Sequence, residues 1–371
     1  MDQSLLDLVL RRLVMLKAPK ALIMVLLMLT WLDFVDIENN SRQFQCLEFF
    51  AGVGRIGRLA HSRGYRSACY DIQFDPLAQE AGEPSSSSSK RAPSSCRGKK
   101  GSGTAMDFGS DGGFLTALVM ALQGSYNAHV VFWGICCSSW IHLNSGTSRR
   151  DYLNPHGHPP YPSVQLANRL VARCILVIMV TVSLGGHMVL ENPGSSLIWL
   201  HDRFQWMLET LASLGIKVYR QAFWMSFWGH DYMKRTVLWS TSRIIGTFNK
   251  GKLSAKKHGP TKTKTVVRYR NRNGRMAYKG SKTLKGTQMY PVKFAGHIVR
   301  CLPAMFRSTG ALPEARLPQV DTSRPFVEIF KEMEFDDWWD EADLKSVYKY
   351  LRGCKGLKIP AQYKPLLPTT I

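Results

Sequence analysis

Glu48 to Gly57 reads EFFAGVGRIG, a short apolar run that enters a glycine-rich turn and leaves as a helix. Gly52 and Gly54 let backbone approach a ligand closely, and a helix N-terminus favours negative charge, such as the carboxylate of a methionine moiety. Phe50 and Ala51 lie in the same turn. Asp71 closes the next apolar run, SACYDI, 17 residues after Gly54. A carboxylate there would accept hydrogen bonds from ribose hydroxyls. Asp107 is expected at the end of a third strand, placed to meet an adenine amino group. A glycine-rich turn alone serves structure as often as binding. The turn followed in order by two acids predicts a cofactor site, with Gly134 as a further wall.

Two other side chains have the chemistry for covalent work. Cys137 follows the apolar run VVFWGI, and Glu191 sits near the end of HMVLEN, 54 residues later. Singly, a cysteine at a strand end is usually a small core residue, and a glutamate there is usually a cap or an ion-pair partner.

The elements that must position these residues alternate. Cys46–Phe50, Ser67–Ile72, Val130–Ile135 and His187–Asn192 read as strands. Gly113–Leu122, Val164–Leu184 and Phe204–Leu214 read as helices. Val218–Trp224 and Thr236–Thr241 read as two closing strands. Strands alternating with helices predict an α/β fold with a doubly wound, Rossmann-like sheet. An N-terminal apolar helical segment spans 1–43 and the core 44–245. Residues 78–103, rich in Ser, Pro, Lys and Gly, form an insertion too polar to build a core. A basic region covers 246–289, a closing helix 290–310, and an acidic, aromatic tail 311–371 with a helix-like LKSVYKYL.

The chain of 371 residues carries a net charge of +22. Residues 246–310 hold sixteen Lys or Arg and no Asp or Glu. A local block of this kind suits a polyanion, because phosphate neutralisation releases counterions; a solvated loop or an import signal has the same composition. The eight cysteines show no CxxC pair and no zinc-finger spacing, so free thiols and no metal are expected. The apolar run Ala21–Leu32 is too short to span a bilayer comfortably and reads as a buried or partner-facing helix, a signal anchor being the alternative.

EFFAGVGRIG resembles the DLFAGxGG motif that opens DNA cytosine-5 methyltransferases. GICCSSW (134–140) sits where that family has GPPCQ-x-F-S, and ENP (191–193) where it has ENV. The resemblance covers about 46–300 and implies a Rossmann-like, S-adenosylmethionine-dependent methyltransferase fold with S-adenosylmethionine as cofactor. It implies Cys137 as the nucleophile that attacks C6 of cytosine and Glu191 as the acid at N3. It also implies that 246–289 occupies the place of the target-recognition region, with DNA favoured over RNA; separately, a nuclear or otherwise intracellular location is expected. There Arg268, Arg270 and Arg272, with Tyr269 and Tyr278 interleaved, suit phosphate contact and base stacking. Arg149 and Arg150, in the loop after Cys137, are further phosphate candidates.

The sequence departs from the family at several points. Ile135 and Cys136 replace two prolines, Ser138 replaces glutamine, and Pro193 replaces valine. No QxRxR arginine motif is present; MKRTVLWS (233–240) is the nearest substitute, offering Lys234 and Arg235. WGICCSSWIHLNSGTSRRD and ENPGSSL also resemble protist proteins with a degenerate form of this pattern. Two other readings stay open: a non-catalytic nucleic-acid-binding protein on the same fold, and a methyltransferase with another acceptor, although no DPPY-like tetrapeptide is present.

Overall fold

A computed structural model describes residues 4–35, 43–75, 105–253, 266–274, 276–280, 286–311, 317 and 319–368. Its frame is a sheet of β1 (Cys46–Phe49), β2 (Ser67–Tyr70), β3 (Val130–Trp133), β4 (His187–Pro193), β5 (Tyr219–Trp224) and β6 (Arg235–Ser240). Their spatial order is β2-β1-β3-β4-β6-β5. β1 pairs parallel with β2 and β3, and β3 pairs parallel with β4. β6 runs antiparallel to both β4 and β5. The protein is therefore mixed α/β with a six-stranded, mostly parallel sheet, compatible with a Rossmann-like fold. β1 and β3 are buried along their whole length. That is why CLEF and VVFW read as continuous apolar runs with almost no alternation: helices cover both faces of the sheet.

One face is covered by α1 (Leu5–Met15), α2 (Lys20–Trp31), α4 (Asp111–Leu122), α5 (Pro162–Ser183) and α6 (Asp202–Ser213). From Leu170 to Ser183 every residue of α5 is buried. By length and composition α5 is the one helix among the described residues that could cross a membrane; here it is the central helix of this layer. The opposite face carries α3 (Arg55–His61) and α7 (Val292–Ala311), whose Ile56, Ala60, Phe294 and Ile298 pack on Phe132 and Val189. α7 fills the place expected of the closing helix.

The N-terminal apolar segment forms two helices where one was expected. Pro19 caps α2 and cannot continue α1, because its ring removes the N–H that an uninterrupted helix would need. Leu22 to Leu29 are buried on all sides of α2, which a helix apolar all round requires. The cover comes from the tail, where α8 (Phe326–Glu332) and α9 (Leu344–Arg352) follow α7. Val347, Tyr348 and Leu351 of α9 join the same core as α2. Lys20 Nζ donates to the carbonyl of Met333 at 2.8 Å, and Arg11 donates to those of Asp321 and Arg324. Trp338 and Trp339 of the acidic patch pack on Trp206 of α6.

The expected insertion, 78–103, lies outside the described residues. Within the basic region, β7 (Val266–Arg270) and β8 (Met276–Gly280) form an antiparallel hairpin.

Candidate active site

A cavity of about 650 Å³ opens at the C-terminal ends of β1, β3 and β4. In open α/β sheets this is the edge where ligands bind. Phe50, Ala51, Gly52, Asp71, Asp107, Gly134, Cys137, Glu191 and Lys234 all line it.

The turn after β1 takes left-handed backbone at Phe50 (φ 56°), Gly52 (φ 56°) and Gly54 (φ 67°). Such a conformation at a phenylalanine is strained and persists only where the surroundings hold it. Here the Phe50 ring meets Phe108 edge-on at 5.3 Å, and Ala51 N–H donates to the carbonyl of Tyr70. A Cβ at Gly52 would meet nothing within 4 Å, so its Cα faces open space. The Gly52 N–H donates to Asp71 Oδ2 at 2.8 Å, and Gln73 N–H donates to Oδ1 at 3.0 Å. Each oxygen retains a lone pair for a further donor. Burial raises the Asp71 carboxyl above its ordinary range. Gly54 lies outside the cavity wall and caps α3, with Cys69 and Phe74 against it.

Asp107 was expected at a strand end and instead sits in a turn before α4. Its Oδ1 accepts from Gly109 N–H at 2.9 Å, closing a local turn that competes with strand pairing. The buried Arg173 of α5 fixes this turn from behind, donating to the carbonyls of Phe108 and Ser110 and pairing with Asp111 at 2.8 Å.

Gly134 ends β3 where backbone and side chains crowd. A Cβ there would lie 2.7 Å from the Tyr290 hydroxyl and 3.2 Å from the Phe50 carbonyl. The chain then turns through Cys137, a half-buried free thiol, while Cys136 is disulfide-bonded, against the expectation of free thiols throughout. Burial pushes the Cys137 thiol up; the Lys234 ammonium pulls it down and the Glu191 carboxylate pushes it up, with a net rise. Glu191 is buried at the end of β4. Its Oε1 lies 3.2 Å from Lys234 Nζ, and its Oε2 accepts from the Tyr290 hydroxyl at 2.9 Å.

The three arginines outside the hairpin and Lys234 part company. Lys234 enters the cavity. Arg235 points outward, with its guanidinium 5.5 Å above the Trp224 ring. Arg149 is exposed. Arg150 does not stand as a phosphate contact: it is 1% exposed and lies 3.5 Å over the Trp140 ring. Its donors go to Ser139, Asn168 and the Pro155 carbonyl. An arginine beside an exposed one reads alike in sequence; only packing separates them. Arg268, Arg270 and Arg272 are exposed on the hairpin with Tyr269 and Tyr278, and Gly280 at its base lines the cavity.

Tyr290 is a site residue that sequence reasoning missed. It lies 99 positions from Glu191 and no motif marks it. Glu48, the first residue of EFFAGVGRIG, is 1% exposed. Its Oε2 accepts from Gly57 N–H at 2.9 Å and faces the Cys69 thiol at 3.7 Å. Burial lifts its carboxyl from the ordinary 4.5 to about 7. A carboxyl raised on folding holds its proton more tightly in the native state, so stability falls as pH rises through that window. The loss is on the order of 2–3 kcal/mol. Glu48→Gln keeps an acceptor for Gly57 and removes the titration. The variant is expected to show a flat Tm between pH 5 and 8 where the parent's Tm declines, as thermal melts across that range would show.

Comparison with protein-family models, curated proteins and solved structures gives no match.

Proposed function

We propose that the protein is a methyltransferase of the Rossmann-like, S-adenosylmethionine-dependent class. The particular reaction is methyl transfer to C5 of cytosine in DNA through a covalent bond from Cys137. The observation that carries this reading is a single cavity. It joins the glycine turn and two acids suited to an adenosyl cofactor with a cysteine, a glutamate and a lysine suited to a pyrimidine. Its size falls in the usual range for small-ligand sites, about 300–1,000 Å³. The reversed strand β6 between β4 and β5 also departs from the parallel order of a dinucleotide-binding sheet.

Gly52 and Asp71 would hold the cofactor's methionine and ribose ends, and Asp107 its adenine. When bound, S-adenosylmethionine supplies an electrophilic methyl group. The Cys137 thiolate adds to C6 of an extruded cytosine, and the electron pair of the C5–C6 bond becomes available at C5. Glu191, at the N3 edge, delivers the proton that balances the charge, with Lys234 beside it as a cation. Once C5 carries the methyl group, water takes the C5 proton, N3 returns its proton to Glu191, the C6–S bond breaks to release the Cys137 thiolate and the double bond returns. The hairpin arginines 268, 270 and 272, with exposed Arg149, would engage phosphates. A DNA substrate fits a nuclear or other intracellular location.

The experiment is transfer of a radiolabelled methyl group from S-adenosylmethionine to duplex DNA, followed by nucleoside analysis. Label in 5-methylcytosine supports the proposal; label elsewhere, or none, contradicts it. Asp71→Ala is expected to weaken S-adenosylmethionine binding by about 10- to 100-fold, because one hydrogen bond to a charged acceptor is worth roughly 1.5–3 kcal/mol. Calorimetric titration would show it, and unchanged affinity would place the cofactor elsewhere. A second reading, binding without catalysis, is favoured by one observation: the upward push on the Cys137 thiol.

A further inference from the structure

Beside Trp140, three elements distant in sequence bring metal-ligating side chains together. His156 comes from the loop after Arg150, His201 caps α6, and Glu341 belongs to the acidic turn of the tail. One ligand atom from each lies within 4.8 Å of the others. We infer that the protein carries a structural site for a zinc-class divalent cation, held by His156, His201 and Glu341.

The outer contacts are those a metal site uses. His156 Nε2 faces the Asp202 carboxylate at 2.9 Å, which leaves Nδ1 toward Glu341 Oε1 at 3.7 Å. The Asp202 contact has ion-pair distance without hydrogen-bond geometry, so it favours this ring orientation through charge alone. Arg203 Nη1 holds Glu341 Oε2 at 2.9 Å, so Oε1 is the oxygen left for a cation. His201 is fully buried, and its Nε2 is 3.5 Å from Glu341 Oε2 with no hydrogen bond of proper geometry. Two imidazoles and a carboxylate suit zinc in preference to the harder calcium or magnesium. Contraction of these distances around an ion gives three protein ligands and leaves the fourth tetrahedral position to water. A metal on His201 Nε2 moves the ring proton to Nδ1 and ends the long cap bond from Arg203 N–H at 3.3 Å. One weak cap is small beside a structural zinc.

The ion would tie the tail to the core. It would also brace the site, because the His201 ring packs edge-on against Trp140 at 5.6 Å, three residues after Cys137. Among the described residues of the tail, Glu341 is the one that pairs with both histidines, which predicts that metal and tail order rise together.

The test uses the full chain, stripped with a chelator and titrated with Zn²⁺ by calorimetry, with Co²⁺ as a spectroscopic probe. The expected result is stoichiometric uptake, a Tm raised by several degrees, and a visible Co²⁺ spectrum of low-symmetry nitrogen and oxygen ligation. His156→Ala and Glu341→Gln, both at part-exposed positions, should each reduce affinity at least tenfold; Glu341→Gln also gives up the Arg203 ion pair, so it is His156→Ala that should leave the metal-free Tm little changed. His201→Asn should abolish uptake; if it fails to fold, the other two decide. No uptake by the parent, or uptake that survives both part-exposed substitutions, overturns the inference.

Discussion

Cys137→Ser is expected to remove methyl transfer, by on the order of 10⁴-fold or more, while S-adenosylmethionine and DNA binding persist. The size follows from the chemistry: a serine hydroxyl is a far weaker nucleophile toward C6, and losing the nucleophile disables the whole set of groups that act with it. The substitution is small, and Cys137 is half-buried at the cavity wall, so the fold should survive it. Single-turnover kinetics on purified variant and parent would check it. Retained transfer would mean that the acceptor needs no thiolate addition, which moves the protein to a different methyltransferase reaction. The same thiol predicts a pH profile. Burial holds it protonated above the ordinary thiol range, so kcat/KM should rise with pH through the alkaline range instead of levelling near neutrality.

The second large effect belongs to the group around Glu191. Glu191→Gln is expected to lower kcat by about 10²- to 10⁴-fold, the usual contribution of a positioned proton donor. Lys234→Met should lose about 10²-fold, since Oε1 then faces the cavity without its cation 3.2 Å away. Tyr290→Phe removes the donor to Oε2 but no charge, and its loss should be smaller. The order Glu191, Lys234, Tyr290 is the discriminating result. Equal effects from all three would indicate a packing unit and no proton delivery. Arg235→Met should leave kcat nearly unchanged, because that guanidinium lies outside the cavity over Trp224.

The order of strands and helices was legible because parallel strands buried on both faces leave apolar runs, and each run here ends at a residue with chemistry. Gly52, Asp71, Cys137 and Glu191 line one cavity because it opens where consecutive strands end, and Asp107 joins them from a turn. What escaped reading was set by long-range packing. Tyr290 reaches Glu191 across 99 positions, and no local pattern carries such a contact. Arg149 and Arg150 are neighbours in sequence, yet one is exposed and the other stacks beneath Trp140. The N-terminal helix reads as an appendage because nothing in Ala21–Leu32 names its partner; α9, more than 300 residues later, supplies it. Asp107 looked like a strand end because Asp after an apolar residue fits one, whereas its own side chain closes a turn.

The central claim is that Cys137 bonds covalently to a cytosine. The most direct measurement incubates the protein with S-adenosylmethionine and duplex DNA containing 5-fluorocytosine, then resolves it on a denaturing gel. Fluorine at C5 cannot leave as a proton does, so elimination stops and the enzyme stays attached. The expected result is a slow-migrating species that requires the cofactor, maps to the peptide containing Cys137 and vanishes in Cys137→Ser. Absence of that species, in a preparation that binds both S-adenosylmethionine and DNA, would contradict it.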